Sequence, residues 1–233
     1  MKYAALAALL LAVPAAAQNR TAKTDFENSL RDSSMLKSVH QRAAVERTLV
    51  AMNDGPEAAG RVVSYLREYD IQIVVKAQAE AVKTVIEKGR TSIILSDALP
   101  AYPRVYGTLI AKEVASLMYA DMPACAERSY MRRAVAGRVW TELGGEPSRL
   151  PVVEPLTGDR VAAVSDEITL WTDEGGAEMS LYKIGEAENL LSLPDMAYGA
   201  KDPVARARFA SANARFVAFL IDEKPARQAA GLR

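Results

Sequence analysis

The chain has 233 residues with 29 basic and 29 acidic side chains, so its formal net charge is zero. This balance excludes the basic excess that favours nucleic acid or an anionic membrane surface, and we expect neither as a partner. Cys125 is the single cysteine and His40 the single histidine, which excludes an internal disulfide and a conventional His- or Cys-rich zinc site. We expect a partly buried thiol near a helix start and a solvated helical histidine.

Residues 1–17 have the features of an export signal. Lys2 supplies the positive charge, residues 4–13 are apolar, and residues 14–17 end in a small-x-small cleavage site. We therefore expect the mature chain to begin at Gln18. The apolar run is shorter than the roughly 20 residues that a membrane-spanning helix needs, and no later run approaches that length. This pattern predicts a periplasmic or secreted protein without a membrane span.

Hydrophobic periodicity, turn residues and β-branched runs predict a mostly helical α+β fold with a small sheet. The predicted helices cover residues 24–52, 56–69, 77–87, 104–120, 124–142 and 203–222. The predicted strands cover residues 71–75, 91–96, 168–171 and 179–183. The last two strands flank Asp173-Glu174-Gly175-Gly176, which indicates a C-terminal hairpin before the final helix.

A segment rich in Pro and Gly, residues 146–160, indicates a linker. It separates a core of residues 18–145 from a C-terminal part of residues 161–233. The core contains the sheet and the two central helices, and the C-terminal part contains the predicted hairpin and the final helix. A chain of this length suffices for one large domain or a domain with a small appendage, so we expect the C-terminal part to pack on the core.

Glu113 occupies an unusual position in the predicted helix 104–120, because it falls within about 60° of the centre of the apolar side, next to Leu109 and Leu117. A carboxylate on an apolar face is costly unless it is paired or hydrogen-bonded. Arg128 and the pair Arg132-Arg133 follow on the next helix. We therefore expect one of these arginines to bridge Glu113.

The same helix contains Lys112-Glu113-Val114-Ala115-Ser116, which would become H-E-x-x-H if histidines stood at 112 and 116. In that motif two imidazoles one helical turn apart bind Zn²⁺, and the Glu activates the bound water. Lys and Ser occupy the two ligand positions here. A Lys ammonium and a Ser hydroxyl cannot hold zinc as two imidazoles can.

From about Arg61 to Gly145, the order of predicted elements resembles that of small zinc metallopeptidases of the gluzincin type. That order is helix, strand, short helix, strand, and a Pro-containing loop into the motif helix. Residues 91–99 are similar to the edge strand and loop that precede the active helix in such enzymes. Glu127 opens the next helix, where gluzincins place a Glu ligand.

The resemblance implies a zincin-like pair of central helices with a degenerate site at Lys112, Glu113, Ser116 and Glu127. It implies no catalytic residue, no metal and no cofactor, because Glu113 would have no metal-bound water to deprotonate. If the match has arisen by chance instead, the chain is an unrelated α+β structural or interaction domain of the cell envelope. In that case we expect Glu113 to be exposed to solvent.

A second enzyme class matches three short segments. Ser34-Met35-Leu36-Lys37 fits S-x-x-K, residues 96–98 partly fit S-D-N, and residues 183–185 partly fit K-T-G. That order is similar to serine acyltransferases that act on peptidoglycan or β-lactams, in which the Lys assists deprotonation of the nucleophilic Ser. The resemblance implies Ser34 as nucleophile and Lys37 as its partner. The diagnostic Asn and Thr of the second and third segments are absent.

The sequence therefore favours an exported, non-catalytic protein on a degenerate metallopeptidase-like core that binds a peptide or protein. A cleft beside an edge strand can accept an extended peptide by strand addition without any chemistry. We expect that edge at Ile93-Ile94-Leu95, next to the helix 104–120.

Overall fold

The computed structural model describes residues 39–55, 57–146, 159–172 and 175–231. Within these ranges the fold is mostly helical with one three-stranded sheet, which confirms the α+β prediction. The helices are α1 (Val39–Asn53), α2 (Ala58–Glu68), α3 (Pro103–Met118), α4 (Ala126–Glu142), α5 (Asp159–Thr172), α6 (Gly176–Glu188), α7 (Leu193–Gly199) and α8 (Pro203–Ala229). The strands are β1 (Gln72–Lys76), β2 (Val82–Glu87) and β3 (Arg90–Ser96).

Several predictions fall partly or wholly outside the described residues. These are the export signal, Ser34 and Lys37, the predicted helix before Val39, and most of the predicted linker. No helix within the described ranges has both the length and the apolar character needed to cross a membrane.

The sheet has the strand order β1-β3-β2, so β3 is its central strand. β1 runs parallel to β3, with Val74 opposite Ile94, and β2 runs antiparallel to β3, with Thr84 opposite Ile93. The expectation that residues 91–96 form an edge strand was therefore wrong, because the chain returns in a hairpin and places β2 on the outer side. The described edge next to α3 belongs to β2.

The predicted helix 77–87 was also wrong, since residues 82–87 form β2. Lys88 and Gly89, the two residues between β2 and β3, both have positive φ, at 49° and 76°. This is the geometry of a type I′ turn, whose twist matches that of paired antiparallel strands. The turn and the β-branched residues of β2 outweigh the helical preference of the preceding alanines.

One hydrophobic core lies between the sheet and helices α1, α2 and α3. The sheet contributes Ile73, Ile93 and Leu95 to it, and α3 contributes Leu109 and Ile110, all fully buried. Burial of each such side chain stabilises the fold by about 1.5–3 kcal/mol. This core holds α3 against the inner face of the sheet.

The predicted C-terminal hairpin was wrong, because its two strands lie within α5 and α6. Val164, Ile168 and Trp171 are buried at helical spacing, and this periodicity prevails over the strand preference of the short segment 168–171. The final helix also continues to Ala229, beyond the predicted end at residue 222. Helices α5, α6 and α8 all contact α4, and Trp171 belongs to a second buried cluster formed there.

Candidate functional site

The candidate site lies on α3 and α4, which form the most extensive helix–helix contact in the described structure. Pro103 begins α3 at a position where the missing N–H costs no helical hydrogen bond. At the other end, Arg128 of α4 donates to the carbonyl oxygens of Ser116 and Met122, each at 3.2 Å. Since the last carbonyls of a helix have no partner within it, Arg128 caps α3 and fixes it against α4.

Lys112 forms a buried salt bridge with Glu167 of α5, with 2.5 Å between Nζ and Oε1. The side chain of Glu167 is 2% exposed and that of Lys112 is 20% exposed. Arg133 of α4 lies between Glu167 and Glu188 of α6. Its Nη1 is 3.6 Å from Oε1 of Glu167, and its Nη2 is 2.5 Å from Oε1 of Glu188. We call these four residues the charged cluster. Its two positive and two negative charges balance, which is the condition under which ionised groups can be buried.

Glu188 is the more exposed of the two carboxylates in the charged cluster. Burial acts to raise its pKa, but the hydrogen bonds from Arg133 and from the Ser129 hydroxyl outweigh it and hold the pKa of Glu188 below its ordinary value. The Ser129 hydroxyl lies 2.9 Å from Oε1 of Glu188. Oε2 of Glu167, in contrast, is buried and has no hydrogen-bond partner within the described structure.

Glu113 is 9% exposed, and its Oε2 accepts a hydrogen bond of 2.6 Å from the Thr84 hydroxyl. The expected arginine bridge was therefore wrong, and so was the alternative expectation of an exposed side chain. Successive residues on a helix differ by about 100°, so Glu113 turns away from Lys112 and meets β2. The hydrogen bond joins the central helix to the edge strand of the sheet.

The other two positions of the implied site have separate partners. The Ser116 hydroxyl donates to the carbonyl oxygen of Lys112, at 3.0 Å, within its own helix. Both carboxylate oxygens of Glu127 accept from the backbone N–H of Leu193, at 2.9 Å, where a carboxylate is favoured by the N-terminus of α7. The expectation that these four positions form one site was therefore wrong, because their described side chains contact different elements. Among the described residues, no group of three His, Cys, Asp or Glu could hold a metal ion.

No pattern in the sequence identified Thr84, Glu167 or Glu188 as partners. Glu167 offered the clearest signal, because it lies next to Ile168 in the buried stripe of α5 and is itself buried. Had the segment been recognised as a helix, a carboxylate on its apolar side would have called for a cation, as Glu113 did.

No contact among the described residues supports the serine acyltransferase hypothesis. Ser96 is buried at the end of β3, where its hydroxyl donates to the carbonyl oxygen of Gln78 at 3.2 Å. Lys183 is exposed on α6. Ser34 and Lys37 lie outside the described residues, so their proposed roles stay a prediction.

Cys125 precedes α4, and its Sγ accepts the backbone N–H of Arg128 at 3.4 Å. Burial raises the pKa of Cys125 to about 11, so the thiol stays protonated at neutral pH and is a poor nucleophile. His40 lies in α1.

No family model, curated protein or solved structure matches this chain.

Proposed function

We propose that this chain is an exported, non-catalytic protein on a degenerate metallopeptidase-like core, and that it binds an extended peptide along the free edge of β2. The observation that supports the proposal best is the hydrogen bond from Thr84 to Glu113. By the resemblance to H-E-x-x-H, Glu113 takes the position of the general base of a zinc peptidase, and Thr84 belongs to the edge strand. A helix and a sheet edge so joined would form the two walls of a peptide-binding cleft.

The contacts of the neighbouring residues support the proposed lack of catalysis. The ammonium of Lys112 is paired with Glu167, and the hydroxyl of Ser116 is bonded within its own helix. Neither group is a substitute for an imidazole ligand of zinc. Without a metal-bound water, Glu113 has no activated nucleophile to generate.

The hydrogen-bond pattern of the sheet identifies the groups available to a peptide. The Ser96 N–H donates to the Ala81 carbonyl oxygen at 2.9 Å, just beyond the first register pair of β2 and β3. Hydrogen-bonded pairs alternate with non-bonded pairs along an antiparallel ladder. The backbone groups of Val82, Thr84 and Ile86 therefore point to the free edge. No described strand pairs with that edge, and such an edge can accept a further strand.

A second candidate function is that of an α+β interaction or structural domain without peptidase ancestry. It is supported by the internal contacts of Lys112, Glu113, Ser116 and Glu127, all of which could serve stability alone. This candidate predicts no peptide binding at β2, so one experiment separates the two.

The test is selection of binders from a phage library of random peptides on the chain from Gln18 onward. Amide NMR signals of the protein should then shift at Val82, Thr84 and Ile86 when a selected peptide is added. Replacing Ile86 with Pro removes one outward donor at a 66% exposed position, which an edge strand tolerates. We expect it to weaken binding by roughly fivefold to tenfold, whereas Ile86→Thr, which keeps the donor, should have little effect.

Failure to select any peptide, or amide shifts confined to other elements, would favour the second candidate. The metal expectation has a separate test in elemental analysis, which should find no stoichiometric zinc in the purified chain. About one zinc per chain that is lost on replacing Glu113 or Glu127 would contradict it. Export is tested by fusing residues 1–17 to a reporter enzyme that is active only outside the cytoplasm.

A further inference from the structure

A cavity of about 270 Å³ lies between α4, the N-terminal end of α6 and the C-terminal half of α8. Its volume is close to the lower end of the range for small-molecule sites. Leu220 and Ala177 form part of its apolar wall, and Tyr130, Lys224 and Arg227 supply polar groups. These elements differ from the edge of β2, so the cavity is independent of the proposed peptide cleft.

The Tyr130 hydroxyl is the most informative group in this cavity. Tyr130 is 1% exposed, and while Arg227 donates toward its hydroxyl oxygen, no described group accepts the hydroxyl proton. The ring packs edge-on against Phe216, with 5.8 Å between the centroids. Burial raises the pKa of Tyr130, so the hydroxyl is a hydrogen-bond donor at neutral pH. Since a buried donor without an acceptor is unfavourable, a ligand that accepts from it would be stabilised there.

Among the described residues that line the cavity, two cations and one carboxylate favour an anion. Glu223 is buried in the wall, but its Oε2 already accepts from the Trp171 indole N–H at 2.9 Å. Arg227 donates to the Trp171 carbonyl oxygen, and its charge acts on Tyr130. Lys224 is exposed, lines the cavity and makes no ion pair with the described residues. The N-terminal end of α6, whose dipole favours negative charge, completes the wall.

We propose that this cavity binds a small organic carboxylate. The carboxylate accepts from the Tyr130 hydroxyl and pairs with Lys224, since a carboxylate has room for several donors at once. The apolar part of the ligand lies against Leu220 and Ala177. These apolar contacts distinguish an organic acid from an inorganic anion, which would leave that part of the wall unfilled.

The probe is benzoate, titrated into the chain from Gln18 onward by isothermal calorimetry. We expect saturable binding at one site, with benzyl alcohol and inorganic phosphate each at least about tenfold weaker. Tyr130→Phe removes the hydroxyl that donates to the ligand and Lys224→Gln removes only the charge, and each should weaken benzoate binding about tenfold or more. The matched control is Lys201→Gln, at an exposed lysine outside the cavity, which should leave binding unchanged.

The proposal is overturned if benzoate does not bind at millimolar concentration, or if it binds equally well to both cavity variants. Equal affinity for benzyl alcohol would refute the need for an anion, and equal affinity for phosphate would refute the organic ligand class. Circular dichroism of each variant checks that the helices are intact. Lys224→Gln keeps the test decisive even if Tyr130→Phe alters the packing, because Lys224 is on the surface.

Discussion

Replacing Lys112 with Met should destabilise the protein more than any exposed charge removal, because it leaves Glu167 buried without its closest cation. The two groups are 2.5 Å apart, and the Glu167 side chain is 2% exposed. After the substitution the nearest cation in the charged cluster is Arg133 at 3.6 Å, which also pairs with Glu188. Breaking a buried pair by removing one partner typically costs 3–5 kcal/mol, and the remaining contact with Arg133 indicates the lower end, about 3 kcal/mol.

The corresponding double substitution gives the decisive comparison. Lys112→Met combined with Glu167→Leu removes both charges, and such a replacement of a buried pair is often close to neutral. We therefore expect the double variant to recover about 2 kcal/mol relative to Lys112→Met alone. Arg133 keeps Glu188 as its partner in this variant, so the rest of the charged cluster is preserved.

Urea denaturation followed by circular dichroism measures both effects. For a chain of this size, a loss of about 3 kcal/mol also corresponds to a fall in Tm of roughly 6–12 °C. Lys83→Met is a suitable control, since Lys83 is 43% exposed and lies 3.9 Å from the exposed Glu80. That change should cost less than about 0.5 kcal/mol. A cost below about 1 kcal/mol for Lys112→Met, or additive costs in the double variant, would refute the reasoning.

Glu113→Gln should cost less than about 1 kcal/mol and Glu113→Leu about 1–3 kcal/mol, because only Leu leaves the Thr84 hydroxyl without an acceptor; urea denaturation compares them. Burial raises the pKa of Glu223, so the native state binds its proton more tightly than the unfolded state. The free energy of unfolding should fall as the pH rises from about 4.5 through the native pKa of Glu223. Thermal unfolding at several pH values should show a smaller fall for Glu223→Gln than for the unchanged protein. A thiol reagent should modify Cys125 slowly in the native protein and rapidly in urea, as measured by absorbance. In the native protein at pH 8, a pKa of about 11 leaves roughly one thiolate in a thousand.

The elements with strong local signals were predicted well. Pro103 fixed the start of α3 to within one residue, and the β-branched run at 91–96 fell on β3. The hairpin of β2 and β3 was not recognised, because Lys88-Gly89 is a less distinctive turn than Asn-Gly and the alanines before β2 favour a helix. An element of six residues next to such alanines takes its conformation from pairing with β3 rather than from its own preference.

For the candidate site, the sequence predicted that Glu113 needs a partner but did not predict which residue that partner is. The position of Glu113 on the apolar side required a partner, and burial with a hydrogen bond fulfils that requirement. Which partner it finds depends on the sheet, because Thr84 reaches α3 only when β2 occupies the outer edge. The pairing of Lys112 with Glu167 depends likewise on α5, whose helical conformation was not predicted. Such contacts between distant segments are set by tertiary packing, and local periodicity contains no information about them.

The proposed ancestry gives the charged cluster a physical meaning. A zinc ion ties together the elements that carry its ligands, and its binding free energy contributes to folding. Under the proposed ancestry, a helix without its imidazoles would need another connection, and the salt bridge of Lys112 with Glu167 joins α3 to α5. Arg133 and Glu188 extend the connection to α6. Glu113 stands outside this cluster and faces β2, so a peptide on the free edge would act on α3 through Thr84 while the charged cluster continues to hold the helices together.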